Sequence, residues 1–331
     1  MKKFNLISLG TALALLFGDV AFAKSYDSGS KKVSTQSQKI KKGKSADVKK
    51  EKTDADRWIE AAKKGDLSTL TSLLKSKKVE VNYSPKYGSP ALSNVISSKD
   101  IKNEKDRVKI VNFLLDNGAD PNLGKYSSPL EIAASNGREE IVEILIKHKA
   151  KVTGDALNSA SYNGNVNIVK SLVEHGADVN YKEKYGGFPL MSATRKGNFN
   201  IVKYLVEHGA KVNEQSKYTG SPLMNAASSG YVDIAKYLIE KGADVNAQDK
   251  FKHTALRNAI ASKVSDKNTV QAKLQIINAL LKAKADPTVI DSIGHTPLSW
   301  AQAQRRLAAD SETKSIWNDV IQKLKSAGAK E

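Results

Sequence analysis

Chemistry in a folded chain starts from cysteine, histidine, carboxylate or hydroxyl groups held within reach of one another. This sequence of 331 residues contains no cysteine, which removes thiolate nucleophiles, thiolate metal ligands and disulfides together. Its five histidines are His148, His175, His208, His253 and His295. The first three stand in one register, each just ahead of Lys149-Ala150, Gly176-Ala177 or Gly209-Ala210. Such a ladder suggests a metal, but helices carrying successive rungs pack about 8–10 Å apart. Zinc needs each nitrogen within about 2.1 Å of itself, so the rungs do not close on one ion. No Gly-rich phosphate loop, G-x-S-x-G or H-E-x-x-H segment is present. Glu139-Glu140 stands at a helix start, where the helix dipole favours acid for structural reasons. The sequence predicts no catalytic residue, no metal site and no cofactor.

What does recur is a lysine followed by an aromatic ring. The pairs are Lys86-Tyr87, Lys125-Tyr126, Lys184-Tyr185, Lys217-Tyr218 and Lys250-Phe251, with Ser292-Ile293 at the last equivalent place. A large ring beside a positive charge is the chemistry of interface hot spots, not of catalysis. The competing reading is that the pairs stack and stiffen their own loops. Arg195, Lys196, Tyr162 and Tyr231 are further candidates on adjoining segments.

The elements that carry these pairs repeat. GFPLMSATRKGNFNIVKYLVEHGAKVN begins at Gly187, and GSPLMNAASSGYVDIAKYLIEKGADVN begins 33 residues later at Gly220. Matched positions include Pro189/Pro222, Leu190/Leu223, Ala193/Ala226, Gly197/Gly230, Leu205/Leu238, Gly209/Gly242 and Asn213/Asn246. Ser128-Pro129, Ser221-Pro222 and Thr296-Pro297 each read as a hydroxyl N-cap followed by proline at the first helical position. Ile201, Val202, Leu205 and Val206 have helical periodicity, and Gly176, Gly209 and Gly242 are placed to end such helices in a left-handed turn.

Each copy resembles the ankyrin repeat, whose period is about 33 residues and whose core reads T-P-L-H-x-A. The resemblance implies an all-α repeat solenoid of about eight helix-turn-helix units joined by β-hairpin fingers. The units lie near 55–82, 88–122, 127–153, 154–180, 187–213, 220–246, 252–288 and 294–329. It also implies that the fingers and first helices line a concave face that grips a protein partner, which puts the ten Lys and aromatic residues above at the contact. Histidine after the Leu of the core motif is absent throughout; Glu131, Asn158, Met191, Met224, Arg257 and Ser299 stand there. The inter-repeat hydrogen bonds of that histidine are therefore expected to be lost. The fourth unit arrives six residues early, which predicts a tight link at Thr153-Gly154. Insertions fall at 97–106 and 262–273, and Trp300 and Trp317 are expected to close the C-terminal end of the core.

Ahead of the repeats, Lys2 and Lys3 precede the apolar run Leu6–Gly18, and Ala21-Phe22-Ala23 provides small residues for cleavage. This reads as a signal peptide over 1–23 and predicts a periplasmic or secreted protein with no transmembrane segment. Residues 24–54 hold ten lysines against four acids and few large apolar side chains, which predicts a disordered basic tail. The formal net charge of +18 predicts a protein partner that is acidic on its contact face. A periplasmic enzyme such as a cell-wall hydrolase, bound, inhibited or protected, would suit. An anionic envelope polymer or membrane surface, or a host protein met after secretion, are the alternatives. Export disfavours nucleic acid as a partner.

Overall fold

The computed structural model describes residues 52–330, except 125, 185, 217, 218 and 263–266. The expected signal peptide, and all but the last three residues of the basic tail, lie outside the described residues. Among the described residues, sixteen helices follow in eight pairs from Asp54 onward. These are α1 (Asp54–Lys64) with α2 (Leu67–Lys75), α3 (Ala91–Ser97) with α4 (Glu104–Asp116), and α5 (Pro129–Ser135) with α6 (Glu139–Lys147). Next come α7 (Gly154–Asn163) with α8 (Val166–Glu174), α9 (Pro189–Arg195) with α10 (Phe199–Glu207), and α11 (Pro222–Ser229) with α12 (Val232–Glu240). The array ends with α13 (Ala255–Ala261) and α14 (Lys267–Lys282), then α15 (Pro297–Leu307) and α16 (Ser311–Ser326).

Local sequence sets the ends of these helices. Ser128, Ser221 and Thr296 accept hydrogen bonds from the backbone N–H of Glu131, Met224 and Ser299, with proline following each cap. At each of these N-termini the hydroxyl satisfies one orphan N–H, and proline removes another. Second helices end in a left-handed residue at Gly118, Gly176, Gly209, Gly242 and Gly328, but at Lys77, Lys149 and Lys284 in three units. First helices of seven to eleven residues cannot bury a stripe alone, and here each packs on its neighbours in the stack. One apolar core therefore runs unbroken from Trp58 to Leu324. Trp317 is in that core, and Trp300 packs against it half-buried, with its indole N–H turned to Asp291.

A second device links unit to unit. The Asn that closes a repeat donates from Nδ2 to a carbonyl of the next unit and accepts from its backbone N–H. Asn180 does so with Gly209 O (3.0 Å) and Lys211 N (2.8 Å), and Asn213 with Gly242 O (3.0 Å) and Asp244 N (2.7 Å). Asn82, Asn122 and Asn246 make the same pair of contacts. The ladder skips Thr153, which serves as the N-cap of α7. That is the tight link the early fourth unit called for. A side chain at Gly154 would overlap the Tyr181 ring, so glycine is required there by close approach.

The two insertions share one solution. After α3 and α13 the chain has no left-handed glycine to close the helix; the caps are Ser98 and Ser262. Second helices α4 and α14 begin early, and a buried cation in each reaches back to the uncapped end. The Arg107 guanidinium, 2 % exposed, donates to Val95 O and to Ile101 O. In the same register, Lys273 Nζ, 1 % exposed, donates to Ser262 O (2.7 Å) and Ser262 Oγ (2.6 Å).

The expected β-hairpins reduce to turns. Among the described residues one isolated bridge is formed, Ser216 with Gly220. In other fingers one bond joins the two arms, as Glu183 N to Gly187 O (2.8 Å) or Asp249 N to His253 O (3.1 Å), beside a turn bond such as Gly186 N to Glu183 O (2.8 Å) or Lys252 N to Asp249 O (2.9 Å). Two arms joined by one bond are too short for a strand ladder.

Candidate partner-binding surface

The last two fingers are each shaped by an aspartate. Asp249 accepts from the backbone N–H of Phe251 (2.8 Å) and His253 (2.9 Å), and from His253 Nδ1 (3.1 Å). Asp291 repeats the turn with Ile293 N (3.2 Å) and His295 N (2.9 Å), and adds Trp300 Nε1 (2.9 Å) and Arg257 Nε (3.3 Å). A carboxylate that accepts from residues two and four ahead tightens the loop around itself. The residues between are left at the outside of the turn. Burial alone would raise both acids, yet the donors around them outweigh it and hold both below the usual range. In other fingers Glu183 accepts from Asn158 Nδ2, and Glu214 pairs with Lys182 at 2.5 Å. All four finger carboxylates are thus tied to the protein itself, while lysines and rings occupy the tips.

Of the ten predicted contact residues, Lys86, Tyr87, Tyr126, Lys184, Lys250 and Phe251 are described, and all six are exposed. Tyr87 and Tyr126 reach 84 % and 82 % exposure. Lys125, Tyr185, Lys217 and Tyr218 lie outside the described residues. In both fully described pairs the cation sits over its own ring, Lys86 Nζ 5.3 Å from the Tyr87 centroid and Lys250 Nζ 4.7 Å from that of Phe251. Lys196 similarly covers Tyr162, at 4.1 Å, and Arg195 beside it is exposed. Tyr231 differs: half-buried, its ring packs on Gly197 and fills the space of the α9–α10 turn.

The expected loss of inter-repeat hydrogen bonds is corrected at two positions. Asn158 bonds Glu183 and accepts from Ser192 Oγ (2.6 Å), which ties α7 to the next finger and to α9. Arg257 on α13 reaches Asp291 of the following finger. Side chains longer or better placed than expected perform the missing histidine's role. The sequence signal for the Asp turns was available, as D-x-x-x-H-T occurs at Asp249 and again at Asp291.

Where the fourth unit lacks a finger, Glu131, Asp155 and Glu183 stand close enough to interact. Tyr181 Oη donates to Asp155 (2.8 Å), and burial with that carboxylate pushes the phenol up to about 12. Burial, then the charges of Asp155 and Glu183, raise Glu131. Among the described residues no three or more His, Asp or Glu side chains are arranged to hold a metal ion. No described helix is long and apolar enough to cross a membrane. An open cleft of about 550 Å³ lies between the turns at Asn136 and Asn165, lined mainly by polar groups rather than by the apolar walls of an enclosed ligand pocket.

Comparison with known proteins agrees with this architecture. Residues 58–156, 100–183 and 157–249 match the family model described as ankyrin repeats in three copies. The chain is 40 % identical over 85 residues to alpha-latrocrustotoxin-Lt1a of Latrodectus tredecimguttatus, covering 23 % of this chain and 6 % of that protein. It is 34 % identical over 128 residues to the ankyrin repeat and KH domain-containing protein mask-1 of Caenorhabditis elegans, covering 37 % and 5 % respectively. The chain therefore spans a small fraction of these curated relatives. Among solved structures, an ankyrin repeat domain from Acinetobacter baumannii is similar with a TM-score of 0.53 at 29 % identity, covering 61 % of this chain and 98 % of that one. With stacked helix pairs, finger turns and a family match across 58–249, this chain belongs to the ankyrin repeat family.

Proposed function

We propose that this protein is exported and binds another protein, without catalysing a reaction itself, through its fingers and the adjoining first helices. Ankyrin repeats generally mediate protein–protein interaction. The observation that carries the reading is the polarity of the fingers. Glu183, Glu214, Asp249 and Asp291 are engaged within the fold, Lys86 and Lys250 are exposed beside exposed rings, and Lys184 is exposed as well. The partner is accordingly acidic on its contact face. Export directs the choice of partner to an envelope enzyme such as a cell-wall hydrolase, held, inhibited or protected.

The test has two parts. Fractionated cells should yield a chain shortened near Ala23 outside the cytoplasm, and a full-length cytoplasmic chain would refute export. Affinity purification from an envelope extract should recover one acidic-faced protein, and Lys86→Glu/Lys184→Glu/Lys250→Glu should lose it while melting normally. Equal recovery by that variant would overturn the finger surface.

A further inference from the structure

The finger row is not uniform, and its C-terminal end is apolar. In the last finger Ser292-Ile293 replaces the Lys-aromatic pair, and Ile290 stands where the preceding finger has Gln248. Ile290 and Ile293 are each 54 % exposed and Phe251 is 45 % exposed. The two fingers touch, since Ser292 N donates to Phe251 O at 3.0 Å. Three large apolar side chains are therefore exposed on two adjoining fingers, outside the core.

Behind them lies a shelf of rings. The Phe251 and His253 rings are 5.5 Å apart, His295 and Trp300 5.1 Å, and the Arg257 guanidinium lies 4.9 Å from the Trp300 ring. Asp291 fixes this shelf by bonding both Arg257 and Trp300. Trp and Arg held rigidly behind exposed apolar groups have the composition and pre-ordering of an interface centre. Lys250 and Lys252, both exposed, flank Phe251.

We infer that the last two fingers, around Phe251, Ile290 and Ile293, are the apolar anchor site for an acidic partner. This rests on the protein-binding reading above and names the chemistry of the segment bound. That segment presents a large apolar side chain with carboxylates on both flanks. The apolar group covers Phe251, Ile290 and Ile293, and the carboxylates meet Lys250 and Lys252. Lysines upstream steer the encounter; the C-terminal anchor holds the complex.

The test uses the full chain after export cleavage and a displayed library of random twelve-residue peptides, selected at low salt. Enriched peptides should carry Phe, Trp, Leu or Ile between Asp or Glu residues. A representative peptide should dissociate at least tenfold faster from Phe251→Ser/Ile290→Ser/Ile293→Ser, with its association rate within twofold. Lys86→Glu/Lys184→Glu, upstream of the anchor, should instead slow association. All five positions are exposed, and unchanged melting of both variants keeps the comparison clean. Acidic peptides without an apolar preference would overturn the anchor and leave the finger reading standing. No enrichment, or enrichment without acidic bias, would overturn both. Cosedimentation with phosphatidylglycerol vesicles, or self-association on concentration, that the triple Ser variant abolishes would assign this patch to lipid or to a second copy and overturn the inference.

Discussion

Single residues decide both what the surface offers and where the fold is strained. The left-handed positions that end second helices show the strain. Gly176, Gly209 and Gly242 hold φ of 89°, 89° and 84° at no steric cost, whereas Lys149 and Lys284 are forced to φ of 64°. A left-handed L-residue costs roughly 1–2 kcal/mol, and glycine gives back about 0.5–1 kcal/mol of it as unfolded-chain entropy. The steric term is larger, so Lys149→Gly and Lys284→Gly should each stabilise the chain by about 0.5 kcal/mol. Urea titration would show a raised midpoint with an unchanged slope, and a lowered midpoint would contradict the assignment of strain. These positions were legible beforehand, because both lysines stand where sister repeats have glycine. The inward turn of Asp249 and Asp291 was harder to see. The spacing to His253 and His295 is visible, but nothing in it says that Arg257, a repeat away, completes the second site.

At the scale of elements, the regular units were readable because Leu, Ala and Gly recur with the period of the packing. The inserted units were not. Their length departs from 33 residues, and the period says nothing about what caps α3 or α13 once the turn glycine is gone. The answer lies in two cations three residues before Ile110 and Ile276, which resemble surface charges until the fold buries them. Arg107 stays charged at any accessible pH. Lys273 does not: burial lowers it from the ordinary 10.5 to about 8. Between those values the unfolded chain binds more protons than the folded one. Stability contributed by this group therefore rises with pH from about 8 to 10.5 and is flat below. Lys273→Met removes the term, so the stability difference should shift toward the natural chain by about 2–3 kcal/mol across that window. Paired urea titrations at pH 7.5 and 10 measure it, and an unchanged difference would mean that the amine keeps its proton.

For the whole molecule, the question is how far a disturbance at one end travels. Contacts run between adjacent helix pairs, and the Asn contacts likewise reach only from one unit to its neighbour. Stability is then close to a sum of units and the interfaces between neighbours. Ending the chain after Ala285 removes the last finger, α15 and α16. It uncovers Leu256, Ile260, Ile277 and Leu280, each fully buried, and leaves Arg257 without Asp291. Each uncovered apolar side chain forfeits as much as about 1.5–3 kcal/mol, which is enough to loosen the unit that becomes terminal. Hydrogen exchange should consequently lose protection in α13 and α14 while α5 to α8 keep theirs. The urea slope should fall with the length removed, since less surface is exposed on unfolding. Uniform loss of protection from α1 onward would instead mean that the stack unfolds as one body. The C-terminal anchor and the upstream lysines would then not be separable by mutation. Local response is thus what would let the apolar and basic parts of the finger row contribute independently to the binding surface proposed above.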